Sequence, residues 1–256
     1  VRVLRCNLQI ILVNKELDLP LVCLWSQLTL TGQYNMSFIA NNIQIPNRLP
    51  LIPLKNVVLF SRIAIPLLVQ RKKSILALEK AAASNRLGVF VEQKNIYDDV
   101  DIKDLFMVGT VGRITEIRTL SDGSSSVNVE GLVCVKVKNF LGIEPYFDVE
   151  VEPVDIIYQP TVESEALIRS AIDNFKKLVE IRNMSMTVLL PDILNIINKI
   201  KDPQQIVNLI TINLNLELKD QQEILEIFDS AAALKKINYY ILRELQIYDV
   251  EKKVAK

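Results

Sequence analysis

The chain has 256 residues, half of them hydrophobic, with 30 basic and 30 acidic side chains and no histidine. That length and apolar content suit one large domain or two smaller ones with a true core, and the charge balance is also local, since residues 48–155 carry as many acidic as basic side chains and residues 156–256 nearly so. No segment offers the clustered positive footprint that phosphate neutralisation demands of a nucleic-acid binder, and the missing histidine removes Ser-His-Asp and Cys-His nucleophiles, histidine metal sites and histidine general bases together.

Residues 1–47 mix apolar and polar side chains without a clear period. The apolar stretch from Leu8 is broken by Asn14, Lys15, Glu16 and Asp18, well short of the ~20 residues a membrane span needs. It also lacks the small-residue cleavage site of a signal peptide. Met36 follows a polar stretch and is read as the natural start. Residues 1–35 are then an upstream extension, and 1–47 a leader to the first domain. The three cysteines, Cys6, Cys23 and Cys134, are far apart. No pair has zinc-ligand spacing, and an odd count argues against a disulfide framework, which points to a reducing, cytosolic compartment.

From Arg48 to about Asp155 the pattern is mostly β. Pro50, Pro53 and Pro66 punctuate the first two strands, which predicts edges or bulges there. A helix over Ser74–Ala83 places Ile75, Leu78 and Ala82 on one face. Leu87–Val91 is a short apolar strand, and Phe106–Ile117 a longer one. Asp122-Gly123 reads as a hairpin turn, because glycine there tolerates positive φ. Val127, Val129, Val133, Val135 and Val137 alternate with polar residues, the period of a half-buried strand, and Gly131 within the run suggests a bulge. Phe147, Val149 and Val151 alternate likewise. Short antiparallel strands with one early helix predict a small, partly closed barrel.

Gln159-Pro160 marks a boundary, and everything beyond it reads as helix. Ile168, Ala171, Ile172, Phe175, Leu178 and Val179 recur at three and four residues, as do Leu190, Ile193, Leu194, Ile197 and Ile200, with Pro191 near the start. At Asp202-Pro203-Gln204-Gln205, aspartate can cap, proline fits the first helical position, and Gln205 can reach back to the cap amide. Asp220 and Glu223 repeat that logic. Ser230 opens a last helix carrying Leu234, Ile237, Ile241, Leu245 and Tyr248, which runs to Lys256 without a C-terminal glycine and looks severed.

The search for chemistry returns little. There is neither a phosphate-cradling Gly-Lys-Ser/Thr loop nor GxGxxG. Gly109-Thr110-Val111-Gly112 has the spacing of an RNA-clamping GxxG loop, but that loop needs helices on both sides and here both sides are β-like, so a kinked strand is the better reading. Asp98, Asp99, Asp101 and Asp104 cluster, yet counting from Asp99 the fifth and sixth positions are Lys103 and Asp104. That breaks a calcium loop and leaves a solvated loop. Arg71, Lys72 and Lys73 form the densest basic run and read as a solvated helix start rather than an anion contact. Ser121, Ser124, Ser125 and Ser126 surround the Asp-Gly turn without an adjacent base, so turn chemistry accounts for them. None of the cysteines has a basic neighbour arranged to activate it. No catalytic, cofactor-binding or metal-ligating residue is nominated, and no substrate-contacting residue can be named.

The run Leu49-Pro50-Leu51-Ile52-Pro53-Leu54-Lys55-Asn56-Val57-Val58-Leu59-Phe60 resembles the opening motif of the N-terminal domains of Lon-type ATP-dependent proteases. The resemblance continues in order through Ile65-Pro66-Leu67-Leu68-Val69, the stretch from Arg71 to Glu79, Val108-Gly109-Thr110-Val111, Asp122-Gly123, Val129-Glu130-Gly131-Leu132, and Lys219-Asp220-Gln221-Gln222-Glu223-Ile224-Leu225-Glu226. Val250-Glu251-Lys252-Lys253-Val254 resembles the start of the family's long coiled-coil helix. Ser61 stands where the family usually has proline, which puts one turn in doubt. The resemblance implies an α+β chain: a PUA-like β pseudo-barrel over 48–157 with one early helix, then a helical bundle over 161–256 that ends in a severed long helix. It implies a cytoplasmic module that recognises unfolded or degron-bearing proteins and helps a hexamer assemble, with the family's ATPase module and Ser-Lys protease domain beyond the matched region. No cofactor follows from it. Leu245, Tyr248 and Val254 are then expected to be exposed and to drive self-association. Two readings from other classes stand beside this one: an RNA-binding PUA-like module, disfavoured by charge balance and few aromatics, and a stand-alone enzyme, disfavoured by the missing histidine and phosphate loops.

Overall fold

The computed structural model describes residues 23–24, 37–40, 43–95, 97, 99–183, 191–214 and 216–254. Met36, Asp98, Leu190, Ala255 and Lys256 lie outside them, and the side chain of Ile193 is not described. The order of elements is β1 (Cys23–Leu24), β2 (Ser37–Ala40), β3 (Ile43–Pro46), β4 (Arg48–Leu54), β5 (Ala64–Val69), α1 (Lys72–Ala82), β6 (Leu87–Glu92), β7 (Val108–Thr119), β8 (Ser125–Gly142), β9 (Phe147–Pro153), α2 (Val162–Asn183), α3 (Pro191–Ile197), α4 (Pro203–Asn213), α5 (Leu218–Leu225) and α6 (Ser230–Val254). The class is α+β.

β1, β2 and β3 pair antiparallel in a small sheet. Ile45 of β3 is fully buried and Ile43 packs beside it in the barrel core, so the end of the stretch read as a leader contributes to the β fold. The six remaining strands run β5-β8-β7-β6-β4-β9, and β8 pairs with β9 as well. That second pairing closes β8, β7, β6, β4 and β9 into a ring, with β5 appended to the first third of β8. The long β8 can serve two neighbours because it bends. Its register shifts against β7 opposite Val111–Gly112, where Leu132 is the extra residue beside Gly131. Further shifts fall between Val137 and Asn139 and between Phe140 and Gly142.

The prolines of β4 are not at an edge, contrary to the sequence pattern, since β4 is an interior strand of the ring. The reason lies in the ladders. β4 pairs with β9 only over Arg48–Leu51 and with β6 only over Leu51–Leu54. Pro50 lies outside the β6 ladder and Pro53 outside the β9 ladder, so each missing N–H falls where one partner is absent. Pro66 does occupy an edge strand, as expected.

Alternation sorts the β side chains into two cores. Leu49, Leu51, Val89, Val91, Val111, Val135, Val149 and Val151 fill the ring. Ile52, Leu54, Phe90, Ile114, Val127 and Val129 point outward, where α1 covers them with Ala77, Leu78 and Ala81. β6 is buried on both faces for that reason, and this is why it reads as a continuous apolar run. The buried face of α1 runs through Ser74, Ala77, Leu78 and Ala81. Ala82, assigned to that face from sequence, is exposed; a helix that starts two residues earlier and presents Ala81 gives a narrower stripe.

The helices form a third core around Phe175, Leu178, Ile206, Ile210, Leu234, Ile237 and Ile241. Asp202 caps α4, accepting from the Gln204 amide at 3.0 Å with Pro203 in the first turn. Gln205 does not reach back to the cap; its carbonyl oxygen faces Arg62 at 3.4 Å. Asp220 is not a cap either, because α5 begins after Glu217 and Asp220 sits inside its first turn. Glu223 instead accepts from Lys236 of α6 at 2.7 Å. Before α6, Asp229 accepts from the amides of Ala231 and Ala232.

Candidate protein-binding surface

The connection between β4 and β5, residues 55–63, joins the two halves of the molecule. Its apolar side chains Val58, Phe60 and Ile63 leave the barrel and enter the helical core, where Val108 and Cys134 meet them from β7 and β8. Phe60 is fully buried. The carbonyl of Leu59 accepts from the buried Thr110 hydroxyl at 2.6 Å. Gly131 faces the same connection: Arg62 N–H donates to its carbonyl at 2.7 Å and its own N–H donates to Ile63 at 2.8 Å. A Cβ there would fall onto the Phe60 carbonyl oxygen, so only glycine permits this approach.

A chain of buried amides completes the junction. The Ser230 hydroxyl donates to the Gln204 carbonyl oxygen at 3.2 Å, and the Gln204 amide donates to Asn208 at 3.2 Å. The Asn208 amide then donates to the carbonyl and hydroxyl oxygens of Ser61, each at 3.1 Å. Ser61, the departure from the family's proline, therefore supplies an acceptor that proline lacks. Gln222 donates to the Val108 carbonyl at 3.1 Å. Sequence reading missed Asn208 and Gln222. For Asn208 the signal was a lone amide among apolar neighbours, Ile206-Val207-Asn208-Leu209-Ile210; Gln222, between Gln221 and Glu223, carries no such mark.

The groups weighed for chemistry are scattered and structural. Cys134 is buried, and desolvation chiefly, with Glu226 nearby, pushes its thiol up to about 12, far from a reactive thiolate. Asp122 accepts from the Ser124 amide and hydroxyl, and those bonds hold its carboxyl below the usual range. This is turn chemistry, with Gly123 at φ +82°. Asp101 and Asp104 cap a short 3-10 turn at Ile102–Asp104. Gly109 and Gly112 sit in β7. Arg71 donates to Gln93 at 2.6 Å at the start of α1. Among the described residues no three His, Cys, Asp or Glu side chains gather as a metal site, and no helix is long and apolar enough to cross a membrane. A shallow dent of about 130 Å³ on the β7–β8 hairpin is lined by Glu116, Arg118, Ser126 and Asn128, too small and polar to hold a folded ligand.

What the surface offers is apolar contact. On the β half Leu68, Leu120, Leu141 and Ile143 are exposed, and on the helical half Ile157, Val162, Tyr239, Leu242, Val250 and Val254. The free side of β5 is interrupted by Pro66, whose missing N–H blunts strand addition. Side-chain contact is the mode the geometry favours. Some surface charges are paired, as in Lys138–Glu152 and Lys235–Glu163.

Comparison with known proteins decides the family. The model of the "ATP-dependent protease La (LON) substrate-binding domain" matches residues 48–243. The chain belongs to this Lon substrate-binding family. It is 35% identical over 221 residues to Lon protease 2 of Bdellovibrio bacteriovorus, covering 85% of this chain and 27% of that protein. It is 34% identical over 210 residues to the Lon protease of Dictyoglomus thermophilum, covering 82% and 26%. The chain thus spans about a quarter of the length of the curated Lon proteases it matches. The fold is that of the N-terminal domain of the Mycobacterium avium complex Lon protease, with a TM-score of 0.62 at 16% identity over 76% of this chain and 97% of that one. It also resembles a Lon N-terminal domain protein from Xanthomonas campestris, with a TM-score of 0.51 at 15% identity over 74% and 96%.

Proposed function

We propose that this Lon-family chain recruits protein substrates, holding unfolded or degron-bearing segments by apolar contact on behalf of an ATP-dependent serine protease engaged in cytoplasmic quality control. The match of residues 48–243 to the Lon substrate-binding domain carries the reading. The exposed leucines, isoleucines and valines on both halves support it, because apolar side chains presented on a rigid scaffold grip many sequences without a defined motif. Within this reading the barrel, 48–157, is the recognition part, and the helices, 161–256, hold it in place. The absence of histidine and the inert setting of Cys134 fit a chain that binds and leaves unfolding and cleavage to other modules.

The test is retention. The 256-residue chain, immobilised, is expected to hold back casein at low salt and let a stably folded control protein pass. Free flow of casein overturns the proposal.

A further inference from the structure

Glu92 ends β6 and is 4% exposed. Its two carboxylate oxygens accept from the backbone amides of Asn56 and Val57, each at 3.2 Å. Asn56 is held in the left-handed region at φ 64°. These two residues are the root of the β4–β5 connection, whose next residues carry Val58, Phe60, Ser61 and Ile63 into the helices. An ionisable residue is thus buried at the start of the segment that fastens the barrel to the bundle. Arg71, from the segment before α1, is the charge that acts on it. Lys55, beside Asn56, and Lys94, further along from Glu92, are solvent-facing. Lys94 directs its ammonium to the Lys103 carbonyl. From the lead-in to β7 only the Phe106 amide reaches Glu92, at the main-chain carbonyl, and the Asp104 carboxylate is engaged by the Asp101 amide.

We propose that Glu92 is a proton-sensitive latch that seats the root of the β4–β5 connection, and through it the junction of barrel and helices, according to pH. Removing a carboxylate from water disfavours its charged form. Burial accordingly pushes Glu92 up from its ordinary 4.5 to about 7, against the opposing pull of the Val57 and Asn56 amides and of Arg71. The direction follows from linkage. The seated carboxyl keeps its proton to a higher pH than a solvated one, so protons favour the seated state. That advantage is complete below about pH 4.5 and is lost as pH rises through about 7.

The measurement is residue-resolved hydrogen exchange of the whole chain between pH 5.5 and 8, corrected for the intrinsic pH dependence of exchange. Protection of the Asn56 and Val57 amides is expected to fall on the order of 30-fold across that window. Glu92→Gln, which cannot ionise, is expected to abolish the fall. A flat wild-type profile, or the same fall in both proteins, overturns the latch. Should the variant fail to fold, carboxyl-carbon NMR of the wild type decides: a Glu92 midpoint near 7, with the two amides shifting in step, supports the latch, and a midpoint near 4.5 overturns it.

Discussion

β8 and α6 are the longest strand and the longest helix of the molecule, and they dispose of apolar side chains in opposite ways. In β8 the apolar side chains from Val127 to Val137 are covered, Val127 and Val129 in the core beneath α1 and Val135 and Val137 inside the ring, while β5, β7 and β9 pair with its two edges. In α6 the buried face Leu234, Ile237 and Ile241 continues only as far as half-buried Leu245 and Tyr248, while Leu242, Ile247, Val250 and Val254 stand in solvent. A closed ring must satisfy itself, because an unpaired ladder or an uncovered face costs it directly. A helix satisfies its own backbone and can leave a face open for another molecule. The two elements therefore differ in what they leave open: β8 is covered from Val127 to Val137, whereas α6 carries an uncovered apolar face toward its end, in addition to the exposed Leu68, Leu120, Leu141 and Ile143 of the β half.

The largest expected effect tests whether the two regions are one unit. Phe60 sits at the barrel's connection but packs in the helical core. Phe60→Ala is expected to cost about 3–5 kcal/mol in denaturant unfolding, and to lower a single transition seen alike by probes of helix and of sheet. Two separated transitions, with the barrel unmoved, would break the comparison by showing that the regions stand alone.

Next comes the amide chain. Asn208→Ala removes the donor to Ser61 and the acceptor for Gln204, stranding buried groups, and is expected to cost about 1–3 kcal/mol. Lys138→Ala, which breaks an exposed pair with Glu152, is expected to unfold at nearly the same denaturant concentration as the wild type. Equal costs for the two would mean that the junction is held by apolar packing and not by its amides.

How much of this was legible in the sequence follows the range of the interactions. The β8 and β9 alternations, the Asp122-Gly123 hairpin and the Asp202 cap are local signals, and each is in place. A partly closed barrel was expected, but the pairing that closes it was not readable, because it depends on β8 meeting β9 beyond its contact with β5, and periodicity carries no partner information. The β4 prolines misled for the same reason: whether a missing N–H matters depends on which ladder is absent beside it. No residue pattern distinguishes Glu92 from an ordinary polar strand end; only the fold brings the Asn56 and Val57 amides to it. The candidate surface was legible in kind, as apolar contact without chemistry, and not in place. Leu245 and Tyr248 follow Ile241 at four and seven residues and so extend the buried stripe as half-buried positions, while Val254 alone of the expected trio is well exposed.

The smallest effect on the fold belongs to the open face of α6. At 3.6 residues per turn, Tyr239, Leu242, Ile247, Val250 and Val254 fall on the side away from Leu234, Ile237 and Ile241, interrupted by Arg243, Gln246 and Lys253. We propose that this stripe pairs with the same stripe on a second copy of the chain, as the seam of a helix pair does. The expected outcome is concentration-dependent association in sedimentation. Val250→Glu should weaken it while changing unfolding stability by no more than about 0.5 kcal/mol, because the position touches nothing in the monomer core. A strictly monomeric profile over a wide concentration range would show that the open face needs a different molecule to cover it. A loss of stability in Val250→Glu would show that this part of α6 is already packed, and would remove the contrast with β8 altogether.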